Sequence, residues 1–380
     1  MNNFPEKEVL EKAKEKILKI IDKQMVRVGE KFPHGWTEDG KYAIIGCENW
    51  MSGFWSGMLW LAYEWTNDNK YRELGEKHID IFMDRIVNKY QVWNHDLGFL
   101  YSLSCVSAYK LTGNEKAKEA AIMAADHLYD NFYIADGVHH INAWADKKSM
   151  DSESCFMIID CLMNVPLLHW ASEVTGDEKY KKAAMAHTET TANVIFREDN
   201  STYHKYVFDV KTGDPLYGAT AQGYSDNSCW SRGQAWGVYG FALAYANTGN
   251  KKYLDCFKRA TDYFVSRLPQ DYVPYWDFTF TEGEEPRDSS AAVIAACGIL
   301  EAAKYAPDDE KIKGYLDVCA KMTKSLLDKY ALSPDASEDG LISDGTGFKA
   351  QGLFNQGLIF GDYYYMELIT RLTTDWKKYW

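Results

Sequence analysis

Apolar and polar positions along the chain alternate between two kinds of segment. After short Gly/Asn/Asp turns, apolar residues recur at i, i+3, i+4, i+7 and i+11. Tyr253, Cys256, Phe257, Ala260, Phe264 and Ala117, Ala120, Ala121, Ala124, Leu128 follow this spacing, which predicts helices with one buried stripe. Before the turns, the runs 55–66, 97–112, 155–175, 232–248 and 289–306 are apolar or small nearly all round, which predicts helices buried on more than one side. One phrase joins the two kinds: an apolar run, a turn, then Lys and often Tyr. It occurs as LAYEWTNDNKY (61–71), SAYKLTGNEKA (107–117), HWASEVTGDEKY (169–180), LAYANTGNKKY (243–253) and AAKYAPDDEKI (302–312). Its lysines, Lys70, Lys116, Lys179, Lys252 and Lys311, lie 46, 63, 73 and 59 residues apart. Such spacing fits turns that stay short at one end while connections at the other end vary. The amphipathic run at about 6–29 adds an outer helix and GDYYYMELITRL (361–372) an inner one. The expected fold is all-α, a ring of six helix hairpins.

Two β-like segments, TYHKYVFD (202–209) and YVPYWDF (272–278), lie in long connections and read as short ribbons. No Pro/Ser-rich linker or charge block divides the chain, so a single domain over 1–380 is expected. If the short turns line one end of the ring, the connections 30–50, 89–96, 131–153, 196–231, 269–288 and 331–356 line the other end and its cavity. Function is expected there.

Charge narrows the classes. With 42 Lys+Arg against 55 Asp+Glu the net charge is −13, and such a chain lacks the basic footprint of a nucleic-acid binder. No stretch approaches the roughly 18 apolar residues of a membrane span, and the N-terminal run is not an export signal. The eight cysteines are scattered without a CxxC, as expected of free thiols in a reducing cytoplasm. The aromatic fraction of 15%, with 13 Trp and 26 Tyr, suggests flat faces beyond the needs of a core, and sugar rings are one client of such a platform.

The expected functional ends of the inner helices concentrate acidic and aromatic residues. Asp96 sits where an N-cap belongs, so capping competes with chemistry there. Asp160 lies in MIIDCLMNVPLL, apolar on both sides. A carboxylate inside such a helix should have a raised pKa, unless a neighbour satisfies it, and a carboxyl kept protonated near neutrality can serve as a general acid. Arg232 offers a cation for an acidic substrate or a partner for one of these carboxylates. His95 and His204 are polar and loop-facing, whereas His78 and His187 both follow an outer-helix tyrosine by seven residues and read as packing. His139 and His140 lack the partners of a metal motif, and no metal site or cofactor is expected. GxGxxG after a strand, GxxxxGK[ST] and GxSxG are all absent.

FWSGMLWLAYEWTND, NHDLGFLYSLS, IIDCLMNVPLLHWASEVTGDEKY, YHKYVFD, SRGQAWGVYGFAL, YWDF with RDSSA, and GDYYYMEL, in this order from about Trp50 to Tyr365, resemble the unsaturated glucuronyl hydrolases of glycoside hydrolase family 88. The resemblance implies an (α/α)6 barrel, in agreement with the hairpin count. It also implies hydration of the C4=C5 double bond that polysaccharide lyases leave on a non-reducing uronate. By the same resemblance Asp160 is the acid that protonates C4 and then the base that activates water. Asp96 binds ring hydroxyls and disfavours ionisation of Asp160. Trp50 and Trp236 wall the uronate subsite, and His95, His204, Gln222 and Arg232 supply its hydrogen bonds.

Ala221 departs from the pattern, since some family members carry a basic residue there, and this weakens a sulfated substrate. Ser343, Thr346 and Lys349 in LISDGTGFKAQG (341–352) are candidate sulfate contacts. The expected partners are unsaturated uronyl disaccharides or oligosaccharides of glycosaminoglycan type, with no nucleic acid and no membrane, and the chain is expected as a monomer or weak homo-oligomer. The charge of −13 works against steering such anions. Alternatives are the sister activity on unsaturated rhamnogalacturonyl fragments of pectin, an epimerase using His95 and His204, and a non-catalytic glycan-binding protein. The last would have no reason to bury Asp160.

Overall fold

The computed structural model describes residues 3–134 and 139–380; 135–138, in the connection 131–153, lie outside the described residues. α1 (Lys7–Val28) leads through a hairpin of β1 (Phe32–Glu38) and β2 (Lys41–Ile45) into α2 (Ser52–Thr66) and α3 (Asn69–Val87). α4 (Leu97–Tyr101), a π turn at Ser102–Val106 and α5 (Ser107–Thr112) form one interrupted helix before α6 (Glu115–Phe132). The two-residue strands β3 (Tyr133–Ile134) and β4 (His140–Ile141) pair, and β5 (Phe156–Ile158) precedes a 3-10 turn at Ile159–Met163, α7 (Pro166–Thr175) and α8 (Glu178–Val194). β6 (Lys205–Phe208) and β7 (Pro215–Ala219) complete a sheet ordered β5-β6-β7. α9 (Ser231–Thr248), α10 (Lys251–Ser266), α11 (Ser289–Tyr305), α12 (Glu310–Ser325) and α13 (Ile359–Thr373) follow. Among the described residues, α1, α3, α6, α8, α10 and α12 form an outer layer. Inside it, α2, α4 with α5, α7, α9, α11 and α13 pack side by side, with α13 against both α11 and α2. The fold is the expected α/α barrel.

The repeated phrase is the chemistry of its turns. Thr66, Thr112, Thr175 and Thr248 return their hydroxyls to the carbonyl four residues back, closing the inner helices. Asn67, Gly113, Gly176 and Gly249 then take left-handed φ values of 56, 71, 75 and 68°, where glycine has no Cβ to strain. Asp68, Asn114, Asp177 and Asn250 cap the following outer helix through their side chains. The lysine and tyrosine reach sideways to the preceding outer helix. Lys70 and Tyr71 hold Asp22 at 3.0 and 2.8 Å. Lys179 and Tyr180 hold Asp126 at 3.0 and 2.7 Å, and Lys252 and Tyr253 hold Glu189. Lys116 holds Asp80 at 2.7 Å and Lys311 holds Asp262 at 2.8 Å. Partly exposed pairs of this kind contribute at most about 1 kcal/mol each, so they set register more than stability.

The sequence expectations need four corrections. The run 155–175 is a strand, a 3-10 turn and a helix rather than one helix. An apolar run fits either form, and α7 starts afresh at Pro166, whose missing N–H suits the first turn. Asp160 therefore stands just past β5, whose Ile158 pairs with Lys205 of β6, rather than inside a helix. YVPYWDF makes only isolated bridges, Tyr275 with Arg287 and Asp277 with Trp230, while TYHKYVFD contributes Lys205–Phe208 as a true strand. The inner segment 97–112 is interrupted where Ser104 and Ser107 return their hydroxyls to the carbonyls of Leu100 and Leu103, a competition that deforms helices.

The fourth correction concerns the aromatics. Phe54, Phe99, Trp236, Tyr239, Tyr363 and Tyr364 fill the barrel with exposures of 0 to 2%, their ring centroids 5.2 to 6.0 Å apart. Trp380 stacks on Tyr364 from the short-turn end. Most of the aromatic excess is core. Close backbone approach sets the functional end: a Cβ on Gly98 would lie 2.3 Å from Asn164 Cα, and one on Gly53 would lie 2.2 Å from the Phe99 carbonyl oxygen. α4 is thus wedged between α2 and the 3-10 turn, with Asp96 on one side of the contact and Asp160 on the other. Gly98→Ala is expected to cost about 1–3 kcal/mol through overpacking; an unchanged urea midpoint would contradict this reading of the contact.

Candidate active site

Asp96 occupies the N-cap position of α4 but makes no capping bond, so the capping alternative falls. Its carboxylate instead takes the side-chain amide of Asn164. Asn164, fully buried, also accepts from the Phe99 N–H at 2.9 Å and reaches the Asp160 carbonyl at 3.4 Å. One amide thus ties α4, the 3-10 turn and the Asp96 carboxylate together. His95, fixed by its N–H on the Ala143 carbonyl at 3.0 Å, places Nε2 3.4 Å from Asp96 Oδ1 and 3.5 Å from Asp160 Oδ1.

These neighbours decide who holds protons. Burial raises the Asp160 pKa to about 7, against the lowering pull of Arg232. Asp96 is likewise raised well above the carboxylate range, first by burial and then by the negative charge of Asp160, with Asn164 and Arg85 acting the other way. Two such acids titrate as a pair. His95 and His204 are both lowered to about 3, chiefly by burial, and are neutral at physiological pH. Asp160 Oδ1 has no hydrogen-bond partner, and the side chain is 16% exposed.

Asp160 opens on a cavity of about 160 Å³ lined also by Trp36, Trp50, Met51, Gln222, Trp230, Arg232, Trp236, Phe348 and Phe360. Typical ligand clefts begin at roughly 300 Å³, so the recess suits one ring, with the rest of a ligand outside. Phe99 lies between Trp50 and Trp236, at 5.6 and 5.4 Å from them, and Trp50 stacks on Phe360. Arg232 is almost fully engaged. Nη1 donates to Asp288 and to the Thr346 carbonyl, and Nη2 donates to Gln222 Oε1 at 2.9 Å and to the Gly347 carbonyl at 2.8 Å. The pairing alternative is therefore realised with Asp288, not with Asp96 or Asp160. His204 accepts the Ala221 and Gln222 N–H groups on Nδ1 at 2.9 and 3.3 Å, which leaves Nε2 to carry the proton and fixes the segment that bears Gln222.

Of the residues expected from sequence, Asp160, Trp50, Gln222, Arg232 and Trp236 line the cavity, Asp96 and His95 stand behind Asp160, and His204 stands behind Gln222. Ser343 faces a separate cavity with Asp39, Glu338, Asp339 and Asp344, and its hydroxyl bonds Asp344. The Thr346 hydroxyl donates to the Arg287 carbonyl, and the Lys349 ammonium lies over the Phe354 ring at 4.1 Å. His78 and His187 are fully buried, bonded to Ser56 and to the Ile141 N–H, as the packing reading expects. Sequence reasoning missed Asn164, Asp288, Trp36 and Trp230. The signal for Asn164 was there: an amide four residues after Asp160 in an otherwise apolar run. Asp288 offered RDSSA, and Trp36 offered none.

His95, Asp96 and Asp160 also bring three ligand-type atoms within 4.8 Å of one another, donors that accept a divalent cation. The charge of Arg232 on Asp160 opposes a cation there and leaves a shared proton as the better fit.

Glycosyl Hydrolase Family 88 matches residues 11–376. An unsaturated chondroitin disaccharide hydrolase of Streptococcus agalactiae serotype III (strain NEM316) is 41% identical over 375 residues, covering 98% of this chain and 93% of the relative. The crystal structure of an unsaturated glucuronyl hydrolase from Streptococcus agalactiae superposes with a TM-score of 0.95 at 41% identity, covering 99% of this chain and 95% of that one. A variant of that enzyme, complexed with dGlcA-GalNAc6S, superposes with a TM-score of 0.86 at 40% identity, covering 98% and 93%.

Two outcomes follow from the electrostatics. Asp362, wholly buried, is likewise raised to about 7 by burial, so the infrared titrations of wild type and Asp160→Asn are compared: their difference should hold a carboxylic-acid C=O band that is lost as pH rises through about 7, and a difference lost near the ordinary aspartate range would contradict the burial argument. Exhaustive chelator dialysis should leave turnover and thermal stability unchanged, whereas loss restored by a divalent ion would assign a metal to the cluster.

Proposed function

The chain belongs to Glycosyl Hydrolase Family 88 and is an unsaturated glucuronyl hydrolase, and on that premise we propose how its residues hydrate the C4=C5 bond of a non-reducing unsaturated uronate. The observation that carries the reading is the unpartnered Asp160 Oδ1, on a carboxyl kept protonated by burial beside a second acid. The uronate ring enters between Trp50 and Trp236. Asp160 gives its proton to C4, the electron pair of the double bond forms the new C–H bond, and positive charge develops at C5 and the ring oxygen. The Asp160 carboxylate then takes a proton from water as the water oxygen bonds C5. The resulting hemiketal opens, the C5–ring oxygen bond breaks to leave a ketone at C5, and C1, now a hemiacetal, expels the reducing sugar. Proton transfer by a positioned acid accounts for roughly 10²–10⁴ in rate.

Asp96 takes part by disfavouring a second negative charge and by accepting from ring hydroxyls. His95 and His204, neutral through burial, contribute hydrogen bonds, and Gln222, held by Arg232, addresses the uronate end together with the one uncommitted N–H of Arg232, at Nε. An epimerase reading loses support because His204 Nδ1 is committed to backbone N–H groups. A non-catalytic glycan binder loses support because Asp160 is open to the cavity and makes no ion pair with Arg232.

The proposed substrates are glycosaminoglycan-type disaccharides and oligosaccharides, with unsulfated ones preferred. In support, Ala221 offers no charge, and the Ser343 and Thr346 hydroxyls and the Lys349 ammonium are engaged elsewhere. Swinging Lys349 off Phe354 is the route by which a sulfate would be tolerated, in line with the relative bound to dGlcA-GalNAc6S. Among the described residues no helix is long and apolar enough to cross a membrane. The eight cysteines are buried and free, which supports action in a reducing compartment.

Loss of the ultraviolet absorbance of the C4=C5 bond should be fastest on unsulfated chondroitin and hyaluronan disaccharides, slower on 6-sulfated chondroitin, and slow on heparin-derived and pectin-derived products. Decay on the pectin product alone would transfer the chain to the sister activity. Asp160→Asn should lower kcat at least about 10³-fold while disaccharide binding, read by calorimetry, survives; near-wild-type turnover would remove Asp160 from its role.

A further inference from the structure

Arg232 and Asp160 share the cavity wall, and a guanidinium there favours ionised Asp160. Left uncompensated, it would strip the acid of the proton it must deliver. Asp288, with no exposure to solvent, stands at the N-cap position of α11 yet leaves the cap unmade. Its carboxylate turns instead to Arg232 Nη1 and the Ser290 hydroxyl. An aspartate that forgoes an available capping bond for a buried ion pair is placed for the pair. The same guanidinium gathers three further partners: Gln222 Oε1 and the carbonyls of Thr346 and Gly347. Its remaining N–H is the Nε–H, so the ion pair fixes the Gln222 side chain and the 346–347 segment as one assembly.

We propose that Asp288 is a positioning residue for the reaction: by pairing with Arg232 it orients the guanidinium against Gln222 and the 346–347 carbonyls and takes up its charge, so that Asp160 keeps the proton it gives to C4. This rests on the reading of Asp160 as the acid. The charged and titratable groups facing Asp160 are Asp96 and His95 at the start of α4, Arg232 of α9, Tyr364 of α13 and its own neighbour Cys161. With His95 neutral and Asp96 itself raised by burial and by the charge of Asp160, the Arg232–Asp288 pair is the local charge that bears on the acid. Removing the negative member of that pair favours ionised Asp160.

Asp288→Asn keeps shape and removes the charge. The alkaline limb of kcat/KM on the unsulfated chondroitin disaccharide should move to lower pH by about half a unit or more, a loss of roughly threefold above the limb. A purely structural residue would lower the rate at every pH without moving the limb, and that result overturns the proposal. Should the single variant not fold, Arg232→Gln and Arg232→Gln with Asp288→Asn decide it. The first should move the limb up, and the second should bring it back towards wild type; coincident limbs overturn the proposal. Asp160→Asn, run alongside, separates the two claims. If it stays active, the acid is misassigned. If it is inactive while the limb is unmoved in Asp288→Asn, the role of Asp288 alone is lost.

Discussion

Two carboxylates pressed against one neutral imidazole, in a wall that water barely reaches, cannot both be ionised without large cost. Asp96 and Asp160 are in that position because α4 and the 3-10 turn approach to backbone contact at Gly98, and because Asn164 binds both sides of the contact. The rest of the site follows from this constraint. On the proposed reading the proton that cannot leave is the reagent and the open oxygen on Asp160 gives its direction; the neutrality of His95 and His204 follows from the same burial.

The barrel serves this site by keeping its two ends apart in purpose. At the short-turn end, threonine hydroxyls, left-handed glycines and capping side chains spend the sequence on helix termini, and lysine–carboxylate pairs hold neighbouring outer helices in register. At the other end the connections are free to differ. Four of them converge on Asp160: the hairpin with Trp36, the segment ending at His95 and Asp96, the β5-β6-β7 sheet with His204, and the late stretch whose carbonyls hold Arg232. The ion pair between Arg232 and Asp288 joins two inner helices to that late stretch, so positioning of the acid, the amide of Gln222 and the cavity wall are linked through one guanidinium.

The helices were legible because periodicity and turn chemistry agree at four of the five repeats, from Asn67 with Asp68 to Gly249 with Asn250. The resemblance in HDLGF, IIDC and SRGQAW pointed to two aspartates and an arginine that the fold brings to one cavity wall. What sequence could not show was conformation in apolar runs: the segment around Asp160 reads equally as helix or strand, and only pairing with β6 decides it. Nor could it show which side chains are already committed. Arg232 looked free for a substrate carboxylate and is bound four times over, Asp96 looked like a cap and makes none, and Thr346, a candidate sulfate contact, is buried with its hydroxyl on the Arg287 carbonyl. Long-range partners such as Asp288 and Asn164 leave little local periodicity to read. The aromatic excess misled for a related reason, since composition does not say which face a ring turns to the core.

The central claim, that the protein protonates C4 rather than cleaving at the anomeric carbon, is most directly tested by turnover in D2O with early NMR analysis of the uronate product. Delivery from Asp160, fixed on one side of the ring, predicts deuterium on a single face of C4. Deuterium spread equally over both faces would mean that the double bond ketonises in solution after ordinary glycosidic cleavage, and would contradict the account.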